Sequence, residues 1–257
     1  MRKRFMTHVN YSILILCGLI GAAYPAGQKT AWKGVDEAIA QGLPKSAIER
    51  LGSVITNALT SKAYDEATRG ILTRVMLAGV IEGNKPEEKI IRLAAELESA
   101  PLEVRPALST MHALWYWHYF QQNRWRFSQR TATAEEPGTD FTTWDLPRLF
   151  AEIDRRFREA LAQSQALKTT PVAAWADLLE KGNLPDSYRP TLYDVLAQAA
   201  LDFYKAGEQG LLRPEEPFEF SDTSPALASP KEFLSWQIPL TDTNAPSYKA
   251  LRLYQEL

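Results

Sequence analysis

The chain has almost no cysteine. Cys17 is the single one in 257 residues, and it sits in an apolar run near the start. If that start is removed on export, the remainder cannot form a disulfide and must be held by an apolar core. Nor can it offer a thiolate to a metal or as a nucleophile. Histidine is scarce, with three in all. A Gly-rich phosphate loop, a G-x-S-x-G elbow and an H-E-x-x-H motif are all missing, so no signature favours an enzyme or a bound cofactor. Positive charge is not in excess, the formal net charge being −2. Without a domain-wide basic field, nucleic acid is excluded as the main partner. No run before residue 210 alternates apolar and polar residues as a half-buried strand would.

What is present begins with a three-part start. Arg2, Lys3 and Arg4 are basic, an apolar run follows from Tyr11 to Ile20, and small residues come at Gly21, Ala22 and Ala23. This is the layout of a secretory signal, cut after Ala23 or Ala26. The run is shorter than the roughly 20 residues that cross a bilayer, and Pro25 ends it, so no membrane span is expected. A lipid anchor at Cys17 is disfavoured, because the bulky Leu16 precedes it. Removing residues 1–26 takes away three basic and no acidic residues, moving the charge from −2 to −5. An exported protein of a Gram-negative-type periplasm or cell envelope is the expectation.

The apolar period of the rest is helical. Ala47, Ile48, Leu51, Ile55, Ala58 and Leu59 repeat one face. So do Ala67, Ile71, Val75 and Ala78; then Leu146, Leu149, Phe150, Ile153 and Phe157; then Leu192, Val195, Leu196, Ala199 and Phe203. Spacings of 3 and 4 place such side chains on one side of a helix. Gly42-Leu43-Pro44, Gly83-Asn84-Lys85-Pro86 and Ala100-Pro101 break the pattern briefly. Gly stops a helix and Pro starts the next. Helices joined this tightly should pack as antiparallel neighbours. The expected fold is all-α, a stack of antiparallel helical hairpins with tetratricopeptide-like, α-solenoid geometry but no 34-residue consensus. The organisation expected is a signal over 1–26, a hairpin array over 27–130 and a second helical part of the same domain over 131–206. A Pro-rich extended segment with a terminal helix follows over 207–257.

Residues 130–143 are polar with Pro137-Gly138 and read as an exposed loop. Six of the sixteen prolines fall between Pro214 and Pro246, yet Phe218, Phe220, Phe233, Trp236 and Ile238 lie among them. An extended strip laid against the helices is expected there. Glu219 between Phe218 and Phe220 suggests a short strand, and Ser247 a cap for a last helix over 248–257.

The most distinctive stretch is 112–131. Rings stand at Trp115, Tyr116, Trp117, Tyr119, Phe120, Trp125 and Phe127. On a helix they point all ways, so this helix should be buried on most sides. Arg124, Arg126 and Arg130 can stack on rings or pair with carboxylates such as Asp140 and Asp145. Arg124-Trp-Arg-Phe-x-x-Arg-Thr131, followed by Thr143-Trp-Asp145, resembles the N-terminal region of large bacterial alpha-2-macroglobulin-like proteins. Val35-Asp36 before Gly42-Leu-Pro-Lys-Ser-Ala47 agrees with this. So do Tyr193-Asp194 before Ala200-Leu-Asp-Phe203 and the closing Ala250-Leu-Arg-Leu-Tyr-Gln255. The likeness spans about residues 32 to 257. It implies an exported helical head of a longer protease-trapping protein, partnered by macroglobulin β-sandwich domains. The family's thioester needs a Cys-x-x-Gln type motif, which is absent here. A fragment or truncated member, ending in a helix, fits that resemblance.

Other candidates for chemistry are weak. His112 and His118, six apart, point to different faces of one helix and cannot share a metal. Glu87-Glu88, Glu135-Glu136 and Glu215-Glu216 are adjacent acids beside prolines and read as solvated surface. Arg155, Arg156 and Arg158 lie opposite an apolar stripe and read as a wet basic face. The candidate interaction residues are therefore Trp115, Trp117, His118, Arg124, Trp125, Arg126, Arg130, Trp144 and Asp145, for a protein partner. The alternative is a glycan or peptide ligand, with sugars stacked on Trp125, Trp144, Trp175 and Trp236.

Overall fold

A computed structural model describes residues 29–128, 138–179, 185–212, 224–239 and 242–257. The helices are α1 (Lys29–Ala40), α2 (Pro44–Thr60), α3 (Tyr64–Ile81), α4 (Pro86–Ser99), α5 (Arg105–Gln122) and α6 (Arg124–Ser128). They continue with α7 (Leu146–Leu161), α8 (Ser164–Thr169), α9 (Leu192–Tyr204), α10 (Pro230–Ser235) and α11 (Pro246–Glu256). Short 3-10 turns link several of them, and no strand occurs among the described residues; Pro171 and Thr191 make one isolated bridge. The fold is all-α.

One device ends each of the first three helices. Leu43 N–H bonds Ala38 O and Gly42 N–H bonds Ile39 O, while Gly42 takes φ +70°. The same 6→1 and 5→2 pair recurs at Ala63 and Lys62 with φ 60° at Lys62, and at Asn84 and Gly83 with φ 89° at Gly83. This left-handed closure satisfies the last helical carbonyls and reverses the chain in three residues. Proline then stands in the first turn of α2 and of α4.

Each of α1 to α5 packs on the next, and α2 and α3 meet most closely. At that seam Gly70 is required: a Cβ there would lie 2.7 Å from Ile55 Cγ1. The chain then gathers round α5, which packs against α3, α4, α6, α7 and α9. Leu108, Met111, Trp115 and Phe120 of α5 are fully buried. They share one apolar core with Ile90 and Leu93 of α4, Leu149, Ile153 and Phe157 of α7, and Val195, Leu201 and Phe203 of α9. No helix among the described residues is long and apolar enough to cross a membrane.

The later segments differ from expectation in three places. Phe141–Thr143 is a 3-10 turn, capped by Asp140, whose side chain accepts from Thr142 N–H. The Pro-rich strip holds 3-10 turns at Gly207–Leu212 and Pro225–Leu227 and the helix α10, whose Ser229 and Glu232 form a capping box. Serine three residues before glutamate satisfies two end donors at once, and that outweighs the prolines. The last helix starts at Pro246 after Ala245 rather than being capped by Ser247. The suggested strand at Phe218–Phe220 lies outside the described residues. So do residues 1–28, with the expected signal, and residues 129–137.

Candidate functional site

The rings of α5 form a connected train across the core. Phe120 meets Phe150 edge-on at 5.0 Å, and Phe150 meets Phe203 at 5.4 Å. Trp117 stands edge-on to Phe203 at 5.6 Å. On the other flank Phe141 takes Tyr116 at 5.1 Å and Tyr119 at 5.2 Å, both edge-on. Such contacts set the positive edge of one ring against the negative face of the next. They fix α5, α7 and α9 against one another. Trp115 is buried as expected, but Trp117 is only half-buried.

His112 lies fully buried in this seam, its ring 4.6 Å from Tyr116. Neither ring nitrogen has a hydrogen-bond partner of ordinary geometry. Burial, then the Arg156 guanidinium, drives its pKa from 6.5 down to about 3, against a small opposing pull from the Ile90 backbone. It is a neutral core residue. His118 is exposed with its ring stacked on that of Trp117 at 6.5 Å, and partial desolvation with Lys89 close by lowers its pKa.

The arginine-rich face of α7 is not bare. Arg155 and Arg156 both hold the buried Glu152, Arg156 Nε at 2.9 Å and Arg155 Nε at 2.8 Å. Burial pushes the Glu152 carboxyl up, but the Arg155 hydrogen bonds and Arg156 outweigh that and leave it below the usual range. Arg158 Nε donates to Asp154 at 3.0 Å. Glu152 and Asp154 belong to the face the sequence left polar, and the arginines are spent in neutralising them.

Beyond the C-terminal half of α5 the core comes to the surface. The Tyr119 hydroxyl donates to Glu87 Oε1 at 2.8 Å and accepts from Arg126 Nη1 at 3.1 Å. This joins the first turn of α4 to α6, and Glu87 is not the free surface acid that its run suggested. Lys89 lies 5.2 Å over the Trp115 ring. Next to this node Arg124 is exposed, and Trp125 is 66% exposed, the most exposed tryptophan among the described residues. Gln121 Nε2 bonds Glu208 Oε1 at 3.4 Å and ties the end of α5 to the turn after α9.

The candidate residues thus divide. Lys89 lies over buried Trp115 and close to His118, Arg126 reaches Tyr119, and Arg124 and Trp125 are exposed beside it at the start of α6. Trp144 and Asp145 do not join them. Trp144 is buried, its Nε1 bonding Gly138 O at 2.7 Å beneath the Arg148 guanidinium. Asp145 caps α7 by accepting from Arg148 N–H at 2.9 Å, so it serves the backbone and not an arginine of the aromatic stretch. Arg130 lies outside the described residues. Trp175 is buried and Trp236 half-buried, which leaves Trp125 as the one widely exposed ring of the four proposed for sugars.

Sequence reading missed Glu87, Lys89 and Tyr119 as parts of this surface. Only the spatial neighbourhood of α4 and α5 reveals them. A concavity of about 430 Å³ lies between α2, α3 and α4 over Ile48, Val75 and Ala78. Arg74 on its wall is held bidentately by Glu96, at 3.1 and 2.6 Å. Among the described residues no cluster of three or more His, Cys, Asp or Glu could hold a metal. The chain matches no family model, no curated protein and no solved structure.

Proposed function

We propose that the chain is a non-catalytic, exported scaffold that docks a protein partner through the α5–α6 end. The partner is the macroglobulin domains of an alpha-2-macroglobulin-like protease-trapping system, of which this chain is the helical head. The fold in this reading is a tetratricopeptide-like stack of antiparallel hairpins, supported by the repeated left-handed turns at Gly42, Lys62 and Gly83.

One observation carries the proposal. Trp125 stands 66% exposed between Arg124 and Arg126, on a base fixed by the Glu87–Tyr119–Arg126 hydrogen bonds. Tryptophan and arginine dominate the energetic centres of protein interfaces. A large exposed ring on a rigid base binds with little loss of side-chain freedom. The macroglobulin identity rests on the order and spacing of the motifs from Val35 to Gln255, and the absent thioester cysteine confines this chain to docking.

Titration calorimetry with recombinant macroglobulin β-sandwich domains of a bacterial family member tests it. Saturable binding is expected, with Trp125→Ala weakening it by at least ~10-fold. No binding, or binding indifferent to Trp125, overturns the proposal. The glycan alternative keeps only Trp125 as a broad platform, and a sugar panel that changes no tryptophan fluorescence removes it.

A further inference from the structure

None of residues 224–239 is buried, although Leu227, Phe233, Leu234, Trp236 and Ile238 all lie among them. Leu227 is 67% and Leu234 59% exposed. Within this stretch α10 is six residues long and packs against the turn Pro225–Leu227. A helix that short is not stable by itself in water, and no residue of α10 is buried to hold it. Its two ends are closed instead. Ser229 and Glu232 close the first turn with their capping box. The last turn is closed from outside, by Gln255 Nε2, which donates to Phe233 O at 2.8 Å and to Trp236 O at 3.0 Å. Arg252 Nη1 donates to Gln255 Oε1 at 2.8 Å and so holds the amide with its nitrogen towards those carbonyls.

Gln255 itself stands on a firmly seated helix. Ala250, Leu251 and Leu253 of α11 are buried. Lys249 Nζ reaches Asp154 Oδ1 at 2.7 Å, the Tyr193 hydroxyl donates to Glu256 Oε2 at 2.6 Å, and Lys168 Nζ donates to Glu256 O at 2.8 Å. Adjacent residues thus do different things: Glu256 ties α11 to α8 and α9, and Gln255 ties α10 to α11. We infer that residues 224–239 are a releasable strap with Gln255 as its latch. α10 is helical while its two carbonyls are held and melts when they are let go, with α11 left in place. Opening of this kind takes far less free energy than global unfolding, because few apolar contacts are lost. Order–disorder change in one segment is a recurrent switching device. Release bares the rings of Phe233 and Trp236, half-buried when the strap is down. A ligand that prefers the bared rings would therefore shift the strap towards its open state.

Amide hydrogen exchange of the full chain, read by nuclear magnetic resonance, tests the latch. The amides of Phe233 and Trp236 donate to Ser229 O and Phe233 O. They should be protected, yet open well below global unfolding, while those of Leu251 and Leu253 in α11 stay slow. Gln255→Ala should speed exchange at Phe233 and Trp236 about 10-fold and leave α11 unchanged. Gln255→Glu is the sharper variant. It keeps nearly the same shape, but a carboxylate cannot donate to a carbonyl, so it should release α10 at least as fully. The inference is overturned if the α10 amides exchange only with global unfolding, if they are unprotected in the wild type, or if neither variant alters them. It is equally overturned if Gln255→Ala speeds α10 and α11 together, since α10 would then be part of the α11 unit and not a strap upon it.

Discussion

The Tyr204 hydroxyl donates to Asp154 Oδ1 at 3.0 Å across the buried seam between α9 and α7. Lys249 of α11 reaches the same oxygen at 2.7 Å, and Arg158 Nε takes the other at 3.0 Å. One carboxylate therefore ties three helices. Burial, then Asp154 beside it, pushes the Tyr204 phenol pKa well up, so it stays a neutral donor. Asp154→Ala leaves Tyr204 and Lys249 without their acceptor. It should cost about 3 kcal/mol in urea unfolding, against about 1 kcal/mol for Tyr204→Phe. Equal losses would mean that the carboxylate is not the shared anchor.

Trp115 and Trp117 are two residues apart and differ sharply in burial. Trp115 is 1% exposed, whereas Trp117 is half-buried and leans on Phe203. Trp115→Ala should cost about 3 to 5 kcal/mol, as buried aromatic truncations do, and Trp117→Ala about half as much. Chemical denaturation that reverses the order would show the rotation of α5 to be wrong.

His112 makes stability depend on acid. Its folded-state pKa of about 3 lies below the ordinary 6.5, so the unfolded chain binds this proton more readily. The contribution is fully present above about pH 6.5 and is lost as pH falls toward 3. Between pH 6.5 and 4.5 the loss should reach about 2 kcal/mol. His118, lowered more by partial burial than by Lys89, adds a smaller loss of the same sign. Melting temperatures of His112→Phe across this range should be flatter than the wild type's, with His118→Gln accounting for part of the rest. Parallel curves would contradict the buried neutral ring.

Two backbone sites give opposite signs. Lys62 holds φ 60° where Gly42 and Gly83 serve the equivalent turns. Lys62→Gly should relieve strain and stabilise by about 0.5 to 1 kcal/mol. Gly70→Ala drives a methyl against Ile55 at 2.7 Å and should cost about 1 to 3 kcal/mol. Differential scanning calorimetry reads both.

Helix type and most boundaries were legible because they depend on local signals. Gly42 to Pro44 and Gly83 to Pro86 mark stops and starts that the backbone obeys. The stripe from Leu146 to Phe157 faces the core as its spacing requires. What stayed hidden needed tertiary partners or competing local chemistry. Asp154 looks like a solvent-facing acid until Tyr204 of α9 and Lys249 of α11 close over it. Asp145 read as an arginine partner, yet the backbone N–H of Arg148 claims it. The capping box at Ser229 and Glu232 was available in the sequence, beneath the proline count that argued for an extended strip. Of the site, Arg124, Trp125 and Arg126 were picked out by their pattern. Glu87 and Lys89 were not, since nothing local links α4 to the end of α5.

Everything proposed for the α5–α6 surface depends on α5 being the buried axis that holds it. Native-state amide hydrogen exchange tests this directly. The amides from Leu108 to Phe120 should be among the slowest in the chain, opening only with global unfolding. If they exchanged as fast as those of the exposed α10, α5 would not be the structural axis and the surface built on its end would have no rigid base.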